Sequence, residues 1–361
     1  MKNDYVLLEK EIKPNYFTML RKHPLFGYLV LAIVLIGFQL AFMFGDGLVT
    51  LTTSRAIAMT MVYTIGAMGL GILVGMSGLI SLGSAAFVGL GAYTAGNLLR
   101  TFTGIPFTLV LLISILAAIV LGAVLGFISL RVRGLGLLVL TLAFAAVMTQ
   151  LFITPNAFTG GFMGITRVPF PTLAGFIQLN RETVYFLVMA VLFGLVVITL
   201  NIINSPTGRA MLAMYASEPL AQAMGISLLK YRVLAFVLAT IYAVIAGVML
   251  ISMMGAVGPG SFHAGLSMNF LAVVIIGGSA RPSSIMLGSF FVFALNLTVL
   301  RNIQFFVDYP QAVVIATGVL MIIIFSRFPG GLSRVVLEVK NAIIRLYLKW
   351  RMYRYGPEPE V

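Results

Sequence analysis

Charged residues and cysteine are scarce in this chain of 361 residues. Charged side chains make up 9% of the residues and cysteine is absent, whereas hydrophobic residues make up 60%. A soluble domain carries roughly 25% charged residues, so this composition excludes an ordinary soluble domain and predicts an integral membrane protein. The absence of cysteine also excludes disulfides, thiolate metal sites and cysteine nucleophiles.

Titratable groups are missing from the interiors of the apolar runs. None of the ten acidic residues lies in the middle of an apolar run, and the two histidines lie at the edges of runs or between them. A charge at mid-bilayer costs at least ~2.5 kcal/mol and is kept only for a purpose, such as proton coupling. This absence argues against a proton-coupled carrier that acts alone, while a sodium site built from backbone and hydroxyl oxygens stays open.

Catalytic signatures are also absent. The chain has no acid pair inside an apolar run, no His-Glu-x-x-His zinc motif and no Gly-x-Ser-x-Gly turn, which argues against a membrane hydrolase and predicts no catalytic or metal-binding residue. A Gly-x-x-x-x-Gly-Lys-Ser/Thr phosphate loop is missing too, so the chain is not itself an ATPase. We expect no cofactor, and if transport is active, its energy enters from another subunit.

Ten apolar windows follow one another along the chain. A helix needs roughly 20 residues to cross the hydrocarbon. We therefore predict an all-α integral membrane protein, a polytopic bundle of about 8 to 10 transmembrane helices, some of them short or broken. The windows fall near 25–44, 55–75, 79–99, 107–130, 136–154, 183–203, 233–254, 264–280, 284–303 and 310–326.

The net charge of +13 indicates orientation, not nucleic-acid binding. With the N-terminus inside, 18 of the 23 lysines and arginines lie in cytoplasmic segments and 5 lie outside. This threading predicts a cytoplasmic leader at 1–24, a transmembrane domain at 25–326 and a cytoplasmic basic amphipathic tail at 327–361 that lies on anionic lipids. Both termini are then cytoplasmic.

A polar segment at 208–232 interrupts the apolar windows and is cytoplasmic in this threading. Ser217 is placed to cap a helix, Pro219 is tolerated in its first turn and Gly225 is placed to end it. So short a helix is marginal alone, so we expect packing on this chain or on a partner to hold it. Glu218, Ala221 and Gly225 share one face of it.

Glycines are dense between residues 66 and 96. The pairs Gly71 with Gly75 and Gly122 with Gly126 have the Gly-x-x-x-Gly spacing that allows membrane helices to approach closely. The glycines of the segment 75–83 are open to two interpretations. They serve helix packing, or they break a span beside a polar pathway.

Several segments, in order from about residue 55 to 332, resemble one family of transport proteins. The sequences Gly69-Leu-Gly-Ile-Leu-Val-Gly-Met-Ser-Gly-Leu-Ile-Ser-Leu-Gly83 and Arg131-Val-Arg-Gly-Leu-Gly-Leu-Leu-Val-Leu-Thr-Leu142 are similar to its signatures, as are Thr159 to Ile165, Gly277-Gly-Ser-Ala and Phe328-Pro-Gly-Gly-Leu332. The family is that of the branched-chain amino acid ABC importer permeases, in particular the M-type subunit of the Liv systems; the urea and amide permeases are close relatives. Tyr215, Ala216 and Ser217 depart from it, because the family tends to place charged residues there.

The resemblance implies a permease in the cytoplasmic (inner) membrane of a prokaryote. It pairs with a second homologous permease, two cytoplasmic ABC ATPases and an extracytoplasmic substrate-binding protein, and the ATPases use the ATP. The segment 208–232 resembles the coupling loop that docks in the ATPase. The resemblance assigns ATPase coupling to Ser217, Glu218, Ala221, Gly225 and Arg209.

A zwitterionic, apolar solute needs hydroxyls, amides and helix termini along its path. The sparse candidates at predicted span interiors include Ser77, Ser81, Asn97, Thr141 and Asn269. Each of them also fits a simpler role as a back-bonded or helix-bridging polar group. The outer loop at Thr159, Gly160 and Gly161 either contacts the binding protein or forms a flexible turn.

Three functions stay open from the sequence. The first is an ABC importer permease for branched-chain or related neutral amino acids, or for urea or amides. The second is an ion-coupled secondary carrier that works without an ATPase. The third is a membrane scaffold that transports nothing.

Overall fold

The computed structural model describes residues 26–44, 51–102, 104–132, 134–154, 158–173, 177–278, 280–299, 304, 310–327 and 331–332. The predicted leader and the tail beyond residue 332 lie outside these residues. The chain divides into two compact units, one ending at Ser54 and the other beginning at Arg55. In the first unit, the Ser54 hydroxyl donates a 2.8 Å hydrogen bond to the Gln39 side-chain oxygen.

The described residues are almost entirely helical. The helices before the polar segment are α1 (Phe26–Phe44), α2 (Leu51–Ser77), α3 (Ser84–Thr101), α4 (Phe107–Ile128), α5 (Leu135–Ile153) and α6 (Arg181–Asn204). The polar segment holds α7 (Pro206–Ala216) and α8 (Glu218–Ala223). They are followed by α9 (Leu228–Met254), α10 (Ala264–Gly277), α11 (Pro282–Ser289), a π-helical segment (Phe290–Val299) and α12 (Pro310–Arg327).

Short elements lie between α5 and α6 and before α10. Two 3₁₀ turns span Gly161–Met163 and Pro259–Phe262. Two strands of two residues each, β1 (Thr172–Leu173) and β2 (Ile177–Gln178), pair antiparallel. The segments around the two 3₁₀ turns are joined by an antiparallel bridge between Ile165 and Val257.

The predicted all-α polytopic membrane fold is confirmed. Each of the ten apolar windows contains a described helix. Within the described residues, six helical stretches are long and apolar enough to cross a membrane: Thr52–Ser77, Phe107–Ile128, Leu135–Ile153, Glu182–Asn204, Leu228–Met254 and Pro259–Gly277. The stretches Gly27–Phe42 and Pro282–Thr298 are apolar but shorter.

Helix α9 lies at the centre of the second unit and packs against α3 and α4. It approaches α3 so closely that a Cβ added at Gly91 would lie 2.2 Å from the Val244 carbonyl oxygen, and one at Gly247 would lie 2.0 Å from that of Val88. On the other side, Gly122 and Gly126 of α4 face Thr240 and Val233 of α9. The close packing predicted for the pair Gly122 and Gly126 is therefore confirmed.

The predicted packing role of Gly71 and Gly75 is also confirmed, on different neighbours. A Cβ at Gly71 would lie 2.4 Å from the Ile285 side chain, and one at Gly75 would lie 2.7 Å from the Ala280 side chain. Beyond them the chain leaves the helical conformation between the end of α2 at Ser77 and the start of α3 at Ser84. The glycines of the segment 75–83 thus serve both packing and a break.

Candidate functional site

Most of the polar segment 208–232 is helical, which corrects its interpretation as a loop with one short helix. Its first part belongs to α7. Ser205 caps this helix, because the Ser205 side chain accepts a hydrogen bond from the Gly208 N–H. Its last part, with Lys230 and Arg232, already belongs to α9. The sequence extends α9 to residue 228 because Ser227 caps it, through a long hydrogen bond from the Lys230 N–H.

Helix α8 has the caps that the sequence predicts. The Ser217 side chain accepts a 3.4 Å hydrogen bond from the Leu220 N–H at its start. At its end Gly225 has φ +79, and the N–H groups of Gly225 and Ile226 donate to the carbonyls of Gln222 and Ala221, each at 2.9 Å. This double closure is a Schellman motif, which satisfies carbonyls that a helix end would leave unpaired. The predicted roles of Ser217 as a cap and of Gly225 as a stop are confirmed.

The shared face of α8 is turned toward its own chain. Ala221 is 3% exposed and packs with Met214 and Leu228 in a small apolar cluster. In this structure Ala221 is covered by its own chain, and its assignment to ATPase coupling stays a prediction. Its small side chain lets α8 lie against α7 and the start of α9.

Glu218 is turned the same way. Its Oε1 forms an ion pair with Arg232 Nη2, and the Arg232 side chain is 2% exposed. Arg232 Nη1 also donates to the Ser129 carbonyl, just after α4, at 3.4 Å. Three elements thus meet at one buried guanidinium. Nothing in the sequence distinguishes Arg232 from the neighbouring cations, because its partners lie 14 and 103 residues away.

The exposed side of α8 is apolar. Leu220 is 64% exposed and Met224 is 76% exposed, and Tyr215 at the end of α7 is 59% exposed. Leu220 and Met224 are not among the predicted site residues, although their spacing of four residues places them on one face of the helix. Arg209 is exposed as well, but its Nη1 donates to the Asn204 carbonyl at 3.0 Å, so it closes the turn between α6 and α7.

The irregular segment 78–83, between α2 and α3, contacts both α7 of the polar segment and α5. The Tyr215 ring lies against Gly78, where an added Cβ would be 2.4 Å from the ring. Thr141 of α5 accepts a 2.9 Å hydrogen bond from the Leu82 N–H, and Ser81 accepts one from the Gly83 N–H at 3.2 Å. Irregular backbone is tolerated among membrane helices only where such groups satisfy it or where it lines a cavity.

The structure brings together only part of the predicted path. Ser81 and Thr141 meet at the segment 78–83, and the buried Ser77 hydroxyl just before it has no hydrogen-bond partner among the described residues. Asn97 lies near the other end of α3, where its amide donates to the carbonyls of Tyr93 and Phe158 at 2.8 and 2.5 Å. Asn269 is half-buried on α10.

An aromatic cluster that the sequence does not predict lies about one helical turn before Asn97 on α3. We call Tyr93, Phe152 and Phe262 the Tyr93 cluster. The Tyr93 and Phe152 rings stack with their centroids 4.6 Å apart, and Phe262 contacts both rings edge-on. Tyr93 is 0% exposed, and its hydroxyl has no hydrogen-bond partner among the described residues. Phe262 comes from the 3₁₀ turn before α10, so irregular backbone reaches into the bundle here as well.

Glycines and Thr159 shape the loop after α5. Gly160, Gly161 and Gly164 all have positive φ, and the Thr159 hydroxyl donates to the Thr154 carbonyl at 2.8 Å. Of the predicted contact residues, Thr159 and Gly161 are buried and Gly160 is exposed. The side chains that the loop presents are the neighbouring Phe162 and Met163, which are 84% and 86% exposed.

Comparisons with known proteins agree with this architecture. Residues 52–325 match the family described as "Branched-chain amino acid transport system / permease component". The high-affinity branched-chain amino acid transport system permease protein LivM of Escherichia coli K12 is 32% identical over 339 residues, which cover 86% of this chain and 76% of LivM. LivM of Salmonella typhimurium LT2 is 31% identical over 340 residues, with the same shares.

A more distant relative covers a smaller part of the chain. The probable ABC transporter permease protein YphD of Escherichia coli K12 is 28% identical over 151 residues, which cover 39% of this chain and 44% of YphD. No solved structure matches this chain.

Proposed function

Because this chain belongs to the permease family of branched-chain amino acid transport systems, we propose that it forms half of the translocation path of an ATP-driven importer for leucine, isoleucine, valine or related neutral amino acids. The other half is a second, homologous permease in the cytoplasmic membrane. Two cytoplasmic ATPases and an extracytoplasmic binding protein complete the importer. The chain itself is a multi-pass membrane protein and a transport subunit.

The observation that carries the ATPase contact is the exposed apolar face of α8. A capped six-residue helix that presents Leu220 and Met224 to the surface forms a compact knob. Exposed apolar side chains grouped beside buried ones mark a surface for a protein partner. We assign the docking surface to Leu220, Met224 and Tyr215, and this surface replaces the Glu218 and Ala221 face that the resemblance implied.

The contact of Tyr215 with Gly78 supports a route from this surface into the membrane domain. A partner that displaces α7 and α8 also displaces the ring that lies on the α2–α3 break. Ser81 lies within that break and Thr141 lies beside it on α5. Their side chains accept hydrogen bonds from backbone N–H groups of the break. We propose that these two residues lie beside the solute path and that the Tyr93 cluster forms its narrow part.

Co-purification tests the docking surface. The chain is expressed with the ATPases, the second permease and the binding protein encoded beside it, and the complex is captured through a tag on this chain. Leu220→Asp together with Met224→Asp is expected to lower ATPase recovery about tenfold or more, because two carboxylates enter an apolar contact. Uptake of isotope-labelled L-leucine into proteoliposomes is expected to fall in parallel.

A matched pair on the opposite loop serves as the control. Phe162→Asp together with Met163→Asp likewise introduces two carboxylates at apolar residues, which are more exposed than Leu220 and Met224, and is expected to leave ATPase recovery unchanged. If the α8 variant retains the ATPases, the assigned docking surface is wrong. If the wild-type complex drives L-leucine uptake with an ion gradient and no ATP, the importer function itself is wrong.

A further inference from the structure

Among the described residues, Arg232 is the one charged side chain that is buried. Its side chain is 2% exposed, and it lies in the second turn of α9. Removing a guanidinium from water is costly unless charged and hydrogen-bonding partners compensate it. The partners here are the Glu218 carboxylate on α8 and the Ser129 carbonyl at the end of α4. Its Nε has no partner among the described residues, so the compensation depends on these two groups.

The ion pair is one of few attachments that α8 has. The helix is six residues long, and its single buried residue is Ala221. A helix of this length does not hold its position by its own hydrogen bonds. Ala221 fixes its underside on Met214 and Leu228, and Glu218 fixes its N-terminal end on Arg232. The N-terminal end of α8 is therefore attached to the same guanidinium as the end of α4.

The guanidinium belongs to the helix at the centre of the bundle. Helix α9 contacts α3 at Gly91 and Gly247 with almost no space, and it contacts α4 at Gly122 and Gly126. Helices packed backbone against backbone cannot be compressed, so a shift of the start of α9 passes to its neighbours. The Ser129 carbonyl adds a second connection to α4 at the same place.

We propose that Glu218 and Arg232 form an internal link through which the docking helix α8 and the central helix α9 move as one body. Arg232 is a positioning residue in this link, and Glu218 acts within its own chain instead of on the ATPase. The inference rests on the proposed function, because it assigns the route by which ATPase movement reaches the membrane helices. It differs in what it predicts, because loss of the link leaves docking intact and changes coupling.

Neutral variants separate the link from simple stability. Glu218→Gln and Arg232→Met each remove the charge of one member of the pair, whereas the double variant removes both charges together. Removing the partner of a buried charge is destabilising because that charge is left uncompensated, while replacing both members is often neutral. The buried member here is Arg232, whose side chain is 2% exposed, whereas that of Glu218 is 31% exposed. We therefore expect the single variants to lower the yield of folded protein and the double variant to restore it.

The decisive readout is the number of L-leucine molecules taken up per ATP hydrolysed in proteoliposomes that hold the complete complex. A residue that acts only on stability lowers uptake and hydrolysis together and leaves this ratio unchanged. For the double variant we expect wild-type ATPase recovery, restored yield and a ratio lowered about tenfold, within the range of measured coupling effects. Arg232→Lys, which keeps the charge but not the fork that reaches two partners, is expected to lie between these values.

Two results overturn the inference. If the double variant regains the wild-type ratio together with the wild-type yield, the pair serves folding alone. If Glu218→Gln loses the ATPases while the chain stays folded, the carboxylate contacts the partner and the docking assignment changes. By contrast, a wild-type chain that binds no ATPase refutes the proposed function, so the two failures are distinguishable.

Discussion

At the scale of single residues, the bundle treats two buried tyrosines differently. The Tyr242 hydroxyl on α9 lies 2.8 Å from the Thr199 hydroxyl and donates to the Leu195 carbonyl at 3.3 Å. The Tyr93 hydroxyl on α3 is equally buried and has no such partner among the described residues. Both rings are buried, so the pair compares a hydroxyl that has hydrogen-bond partners with one that has none among the described residues.

We expect Tyr93→Phe to raise the free energy of unfolding by about 1 kcal/mol, because it removes a buried polar group that is unsatisfied. Tyr242→Phe is expected to lower it by about 1 kcal/mol, because it leaves Thr199 and the Leu195 carbonyl without that partner. Unfolding of each variant in detergent measures both changes. If Tyr93→Phe is instead destabilising by a similar amount, its hydroxyl is bonded in the folded protein.

Transport measured on the same Tyr93→Phe variant has a separate meaning. If the Tyr93 cluster forms the narrow part of the path, the variant is expected to be as stable as the wild type or more so, yet slower in L-leucine uptake. Unchanged uptake at unchanged stability assigns Tyr93, Phe152 and Phe262 to packing alone. Tyr242→Phe is the control. Its hydroxyl is hydrogen-bonded within the bundle, so this variant shows how far uptake falls when only stability is lost.

At the scale of elements, the helices follow from the sequence more directly than their contacts do. Each apolar window became a helix because hydrocarbon thickness and the need to satisfy backbone groups leave few alternatives. The caps of α8 also followed, since Ser217 and Gly225 act through local chemistry. The sequence does not predict what covers the buried face of α8. The spacing of Glu218 and Ala221 shows that they share a face, but not which part of the protein lies against it.

The contact between α3 and α9 is the tightest test of packing between elements. Gly247→Ala is expected to destabilise the protein by about 1 to 3 kcal/mol, because its Cβ would lie 2.0 Å from the Val88 carbonyl oxygen, which is backbone and cannot rotate away. Gly91→Ala is expected to do the same against Val244. Thermal unfolding in detergent measures both effects.

Gly194→Ala on α6 is the matched control for these variants. Gly194 is also inside a helix, but no heavy atom of the described residues lies within 4 Å of an added Cβ. The change is expected to be neutral or to stabilise by up to about 1 kcal/mol, since alanine favours the helix more than glycine does. Equal losses at Gly194 and Gly247 would show that the effect belongs to glycine in general and not to the α3–α9 contact.

At the scale of the whole molecule, the sequence predicts which segments form the candidate site but not which of their residues contact one another. The segment 208–232, the break at 75–83 and the loop at 159–161 all stand out by local composition. The ion pair of Glu218 with Arg232, the contact of Tyr215 with Gly78 and the Tyr93 cluster join residues far apart in sequence. No spacing rule connects such residues, because tertiary packing brings them together.

Orientation is the property of the whole molecule on which the proposed function depends most. In the sequence, Phe162 comes before α6 and Met224 comes after α6. Helix α6 has 24 residues, so it is about 36 Å long. A helix of this length places the two residues on opposite sides of a bilayer. The charge asymmetry predicts that Met224 is on the cytoplasmic side.

The chain has no cysteine, so each introduced cysteine is unique and the wild type is a blank. In cells that express this chain without the ATPases that would cover Met224, a membrane-impermeant maleimide is expected to label Phe162→Cys in intact cells and to label Met224→Cys only after permeabilisation, since both positions are exposed in this chain but face different compartments. Labelling of Met224→Cys in intact cells, with Phe162→Cys protected, would mean the opposite orientation. A cytoplasmic ATPase could not then reach α8, so this one measurement decides whether the docking surface and the internal link can operate as proposed.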